Sequence, residues 1–176
     1  AAASLRESLA LQRRLHGDEH TESARAAHDL GVVVLQQGDA KAAAALFEQA
    51  LANRRALLGG EHPDVADSQY NLGIALRRLG RDERATELID AAVAMQKKLL
   101  GPAHPLVANG LNSQAVHAFS QGDLATAIAY VGEALASAAA AYGERHATVI
   151  AMRNNLAGMQ RAAGRLDDAE ASARRA

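Results

Sequence analysis

Apolar and polar positions follow one another along this chain with the period of a helix, and glycine breaks the pattern at regular places. Between His62 and Leu79 the residues Val65, Gln69, Leu72, Gly73, Leu76 and Leu79 fall three and four apart, a stripe along one side of a helix. Pro63 suits the first turn, where a missing amide proton costs nothing, and Asp64 there complements the positive end of the macrodipole. Gly80 ends the segment. From Asp82 to Leu100 the logic repeats with Ala85, Leu88, Ile89, Ala92, Val93, Gln96, Leu99 and Leu100, closed by Gly101 and Pro102. A turn of a few residues around Gly80 makes the two helices antiparallel neighbours, and the small Gly73, Ala85 and Ala92 let their backbones approach closely.

The same punctuation returns every 42 residues. Gly59 and His62 recur as Gly17 and His20, Gly101 and His104, and Gly143 and His146. A second glycine keeps the beat at Gly38, Gly80, Gly122 and Gly164, and alanines follow at Ala43, Ala85, Ala127 and Ala169 and at Ala50, Ala92, Ala134 and Ala176. A fixed period of this length signals stacked supersecondary units. The expected fold is all-α, an α-solenoid of antiparallel helix pairs with about nine helices. A lone helix at about 1–15 is followed by pairs at 20–37 with 40–57, 62–79 with 82–99, 104–121 with 124–141, and 146–163 with 166–176. The corresponding organisation is one array: a partial repeat 1–17, then repeats at about 18–59, 60–101, 102–143 and 144–176. Asp39 and Asp123 are placed to cap the helices that follow them, whereas Arg81 and Arg165 at the same beat are not, so those starts are expected to lean on Asp82 and Asp167. Neither end reads as a polar cap, which predicts a piece of a longer protein with Leu5, Leu9 and the alanines near Ala173 partly exposed or covered by another molecule.

Composition narrows the chemistry. Alanine supplies 43 of 176 residues and aromatics only five, which favours close helix crossings over a core of large side chains. Lysine and arginine number 19 against 20 acidic residues, so no global field draws in nucleic acid or an anionic membrane. Cysteine is absent, which excludes disulfides, thiolate zinc sites and a thiol nucleophile. No run of about 18 apolar residues suggests a membrane span, and no charged-then-apolar leader opens the chain. The expectation is a soluble, cytoplasmic protein without a cofactor.

With helix pairs and period established, the chain resembles the tetratricopeptide repeat (TPR) family, in the 42-residue version found in kinesin light chains and many bacterial signalling proteins. The residues that carry the likeness are Asn71-Leu72-Gly73, Gly80, Ala85, Ala92, the linker from Leu99 to Pro105, Asn154-Asn155-Leu156-Ala157 and Gly164. The resemblance implies a right-handed superhelix whose first helices line a concave groove for an extended peptide or a partner helix. It also implies asparagines that grip the peptide backbone, at Asn71 and Asn155, with Asp29 and Ser113 departing from that pattern. The branch of the family that binds chaperone tails uses groove lysines; here the lysines are Lys41, Lys97 and Lys98, all on second helices.

The first helices carry a second stripe, opposite the buried one, of mixed polar character. It reads Arg25, His28, Asp29, Val32, Leu35 and Gln36 in the first pair and Asp67, Tyr70, Asn71, Ile74, Arg77 and Arg78 in the second. The third pair gives Asn109, Asn112, Ser113, Val116, Phe119 and Ser120, and the fourth Asn154, Asn155, Gly158 and Arg161. Amides to pair a peptide backbone, with scattered aromatic and aliphatic groups, fit peptide capture. The arginines point to an acidic ligand, since a guanidinium fork suits carboxylate or phosphate, while Asp29 and Asp67 offer competing partners within the chain.

Metal and catalytic readings fare worse. Equivalent histidines in successive layers are separated by roughly 10 Å, whereas zinc holds its ligands at about 2 Å, so His20, His62, His104 and His146 read as helix-start residues that stitch one repeat to the next. No nucleophile elbow, HExxH helix or phosphate loop is present. Two functions remain: a non-catalytic protein-binding module acting as scaffold or regulator, and a structural spacer that associates end to end through its apolar ends.

Overall fold

The computed structural model describes residues 2–175. Among them are nine α-helices: α1 (Ala2–His16), α2 (Thr21–Gln36), α3 (Ala40–Leu58), α4 (Pro63–Arg78), α5 (Asp82–Leu100), α6 (Pro105–Ser120), α7 (Leu124–Tyr142), α8 (Ala147–Ala162) and α9 (Leu166–Arg174). Each bound lies within a residue or two of the one expected from periodicity. The chain forms two compact units, residues 1–95 and residues 96–176.

In the first unit the core is drawn from facing stripes of α2, α3, α4 and α5. It includes Leu30, Val34, Phe47, Leu51, Val65, Leu72, Leu76 and Leu88. Two glycines set how near the helices come. A Cβ on Gly31 would stand 2.7 Å from the Phe47 ring, and one on Gly73 would stand 2.6 Å from Ile89 Cγ1 and 3.0 Å from the Ala85 carbonyl oxygen. The second unit makes the same crossing with different sizes: Ala115 on α6 meets Val131 on α7, both fully buried. Leu79 and Leu99 belong to the apolar stripes by spacing, yet they are 39% and 37% exposed, because the stripe runs out into the turn at each helix end.

The recurrent histidines are helix N-caps. Nδ1 of His20, His62, His104 and His146 accepts the backbone N–H two residues on, at 3.1 to 3.2 Å. An imidazole lone pair thus satisfies an amide the helix leaves free. Rings from the preceding helix pack on two of them, His16 on His20 and Tyr142 on His146. Asp39 and Asp123 cap α3 and α7 through Oδ1. At α9 Arg165 makes no side-chain cap bond, as expected, and pairs with Asp168, while Asp167 stands in the first turn, where its charge complements the helix dipole. Asp82 likewise stands in the first turn of α5 with Glu83. Helices turn over at glycines such as Gly80, whose φ of +73° other residues rarely adopt.

One loop carbonyl is tied down in several repeats. Asn53 Nδ2 donates to the Asp18 oxygen at 2.6 Å, Ser137 Oγ to the Pro102 oxygen at 2.6 Å, and Arg153 Nη1 to the Glu144 oxygen at 3.0 Å. These three acceptors hold the same place in the 42-residue register.

Two sequence expectations are corrected here. Leu9 is buried, at 5% exposure, because α1 turns it onto the core of the first unit; Leu5 is half-buried, while Ala173 is exposed as expected. Helix α7 is long and apolar enough to cross a membrane by length and composition, contrary to the reading of the bare sequence. Its apolarity comes from alanine spread along the helix and not from a run of large side chains. Its one charge, Glu133, pairs with Lys97 at 2.5 Å.

Replacing Gly73 by alanine should lower stability by about 1 to 3 kcal/mol in a urea titration, despite the better helix propensity of alanine, since the new methyl meets the Ala85 backbone. The Asp123 carboxyl is held below the ordinary carboxylate range by hydrogen bonds from Thr126. A depressed value means that the ionised cap contributes stability above the unfolded-state value, near 3.9, and loses it as pH falls through the folded one. The stability gap between the parent and Asp123→Ala should therefore stay constant from pH 7 to about 4 and close below that, as measured by thermal unfolding across pH.

Candidate functional site

The residues that the sequence marks as candidates lie on the first helices of each pair, and the structure places them unevenly. In the first unit a buried polar cluster lies under that face. Arg54 of α3, 7% exposed, donates from Nη1 to the Asp64 carbonyl oxygen at 2.9 Å and to Ser68 Oγ at 2.8 Å. The same nitrogen stands 3.3 Å from Nδ1 of His28. With Nδ1 facing a permanent donor, the His28 proton belongs on Nε2, which lies 2.9 Å from Asp67 Oδ2. Asn71 closes the chain, its Nδ2 donating to the Asp67 carbonyl oxygen and to Asp67 Oδ1 at 3.0 and 3.1 Å.

This cluster overturns two expectations. His28 is 6% exposed and serves the packing of α2, α3 and α4, so it does not present itself to a ligand. Asp67 pairs with His28 and not with an arginine, so the competition foreseen for Asp67 does not occur.

The groove arginines are mostly engaged as well. Arg25 pairs with Glu22 at 2.6 Å, one turn back on α2. Arg78 donates to the Leu35 carbonyl oxygen at 2.6 Å, satisfying the end of α2 from the neighbouring repeat. The half-buried Arg77 has its pKa pulled below the ordinary value by desolvation, against the opposing influence of Tyr70, Asp82 and Asp90. Arg161, by contrast, is exposed, and its side chain makes no hydrogen bond or ion pair among the described residues. Asp29 is exposed, and Tyr70, Asn71 and Ile74 are half-buried.

The second unit presents a different face. Asn109, Val116 and Phe119 on α6 are exposed, Val116 at 49% and Phe119 at 40%. Asn112 and Ser113 beside them are half-buried. Asn154 and Asn155 on α8 are exposed, and the Asn155 amide donates to Asn112 Oδ1 at 3.4 Å. Asn154 and Arg161 also border an open cleft of about 400 Å³ between α8 and α9, floored by Ala157 and Ala169. Among the described residues no group of three histidine, aspartate or glutamate side chains is placed to hold a metal ion.

The tetratricopeptide repeat profile matches residues 1–56, 45–98, 64–140 and 106–176. The chain belongs to the tetratricopeptide repeat family. Solved TPR structures agree in fold. BtubC (BKLC) from P. vanneervenii is 25% identical with a TM-score of 0.79, over 88% of this chain and 61% of its own length. A kinesin light chain candidate of Podosopora anserina with nearly identical TPR-like repeats is 25% identical, TM-score 0.78, over 99% of this chain and 82% of its own. A single-residue variant of that protein gives 26% and 0.78, over 97% and 81%. The chain thus spans less than two thirds of BtubC. No curated protein matches the sequence.

Within the TPR frame, the residue that sequence reading missed is Arg54. It sits on the inner side of a second helix, at the position held by Gln96 one repeat on, and a charged residue on an apolar stripe was the one available signal. Replacing Arg54 by methionine strands the His28, Ser68 and Asp64 acceptors. It should cost about 3 kcal/mol in denaturant unfolding, against about 1 kcal/mol for Arg78→Met at the exposed helix end.

Proposed function

We propose that the chain is a non-catalytic protein-interaction module that holds an extended peptide of a partner protein against the inner face of its first helices. TPR repeats mediate protein–protein interaction, and this reading adds where and how. The supporting observation is the α6 and α8 face of the second unit, where exposed amides of Asn109, Asn154 and Asn155 stand beside exposed Val116 and Phe119. Amides pair with a peptide backbone whatever its sequence, and the apolar groups hold side chains. In the first unit Asn71 offers its amide oxygen, since its nitrogen is committed to Asp67.

An acidic preference receives less support than the count of arginines suggests. Arg25 and Arg78 are engaged within the chain, which leaves Arg161 as the cation best placed to meet a carboxylate. A second reading, association between copies, is favoured by Leu11 and Leu15 on α1 and Leu166 on α9, which are 48%, 62% and 66% exposed. Light scattering over a concentration series separates the two, growing species supporting association.

Panning the chain against a random dodecamer display library should yield binding peptides. Their affinity should fall about tenfold in Asn155→Ala, the loss of one net hydrogen bond in a desolvated contact, with helicity by circular dichroism unchanged. Unaltered affinity in both Asn155→Ala and Asn71→Ala would remove the inner face from the account.

A further inference from the structure

In the first unit the surface shared by α2 and α3 is a seat for a helix. Leu35, Ala40, Ala44 and Phe47 are buried there in one cluster with Leu72 and Leu76 of α4. The same register places in the last pair hold Arg161, Leu166, Glu170 and Ala173. These four border the open cleft of α8 and α9, over a floor of Ala157 and Ala169. The cleft therefore has the form of a helix seat and differs from the filled one in charge, since Leu35 and Ala44 give way to Arg161 and Glu170. Glu170 is held by Arg174, whereas the Arg161 side chain has no partner among the described residues. A helix that fits must bring apolar groups to the alanine floor and an anion to Arg161.

Helix α1 carries such a face. Leu11 and Leu15 stand exposed one turn apart, and Glu7 precedes them by one turn on the same side. The Glu7 side chain is exposed and makes no hydrogen bond or ion pair among the described residues. Leu9, on the opposite side of α1, is the residue buried in the core of the first unit. We infer that α1 of one copy seats in the α8–α9 cleft of a second copy, antiparallel to α8, with Glu7 on Arg161 and the two leucines on the alanine floor. The spacing fits turn for turn: Leu166, Ala169 and Ala173 mark three turns of α9, as Glu7, Leu11 and Leu15 mark three of α1. Charge sets the direction. Laid along α8 as α4 lies along α2, where Arg78 reaches the Leu35 oxygen at the matching helix end, α1 would bring Arg14 against Arg161. Reversed, it brings Glu7 there and carries Arg14 toward Glu170. This inference rests on the second reading above, association between copies, and assigns the two faces that meet and their polarity.

Sedimentation velocity of the full chain over a concentration series tests it. The parent should form larger species as concentration rises. Glu7→Arg and Arg161→Glu should each weaken association about tenfold, because attraction becomes repulsion. Helicity and thermal midpoint should stay close to the parent's, since neither side chain is bonded within its own chain. Mixed in equal amounts, the two variants should associate again, each supplying the charge that the other's opposite face now needs. Leu166→Ser, in the cleft, and Leu15→Ser, on α1, should both weaken association. If the mixture of charge variants fails to recover, Glu7 and Arg161 do not meet and the seat is wrong. If Leu15→Ser abolishes association while Arg161→Glu and Leu166→Ser leave it intact, the copies meet without the cleft: the seat is wrong and association stands. A parent that stays monomeric throughout removes both.

Discussion

The closeness of the two helices in each pair is the constraint on which the other features depend. It is set by paired residues whose sizes vary inversely. Glycine at 31 meets Phe47, glycine at 73 meets Ile89, and alanine at 115 shares a cluster with the smaller Val131. In the last pair the same places hold Ala157 and Ala173. A helix crossing fills its contact with one large side chain at most, so whichever helix supplies bulk, the other must withdraw it. Few aromatic residues are needed under such a rule. The abundance of alanine then has a definite meaning, as the common small partner.

Holding the crossings fixed also determines which surfaces remain open. The stripe facing away from each crossing is left on the first helices, and the two units use it differently. In the first unit charge is consumed internally: Arg54, His28 and Asp67 form a chain beneath the face, and Arg25 and Arg78 are engaged on it. In the second unit the corresponding face is built chiefly of neutral amides and exposed apolar groups, with Arg161 as its one exposed arginine among the described residues. Charges engaged within the chain orient side chains but leave little for a partner. A neutral amide has several hydrogen-bonding positions, so a contact such as that of Asn155 with Asn112 does not exhaust it.

Sequence periodicity carried the fold a long way, because spacing of three and four residues reports directly on which face of a helix is buried. Helix bounds, the glycine turns, the Asp39 and Asp123 caps and the packing role of Gly73 were all legible. Side-chain traffic between helices was not. Nothing in the spacing of His28 says that its ring turns inward, because that depends on Arg54, 26 residues away on another helix, reaching it. The same holds for Arg78, whose partner is the Leu35 carbonyl and not a ligand or a carboxylate. A residue on the correct face is a candidate; whether it is free depends on neighbours that no local pattern displays. The histidine beat was visible, but its role as a lone-pair cap required the ring orientation.

The loop ahead of each helix pair has an implication for how such an array tolerates change. An asparagine, a serine and an arginine, projecting from α3, α7 and α8, all converge on the equivalent main-chain oxygen. Backbone oxygens are the same whatever residue carries them. The linker is thus specified by an anchor that mutation cannot erase, and the groups that fasten to it are interchangeable. Neighbouring tiles can drift apart in sequence while their joints keep one shape.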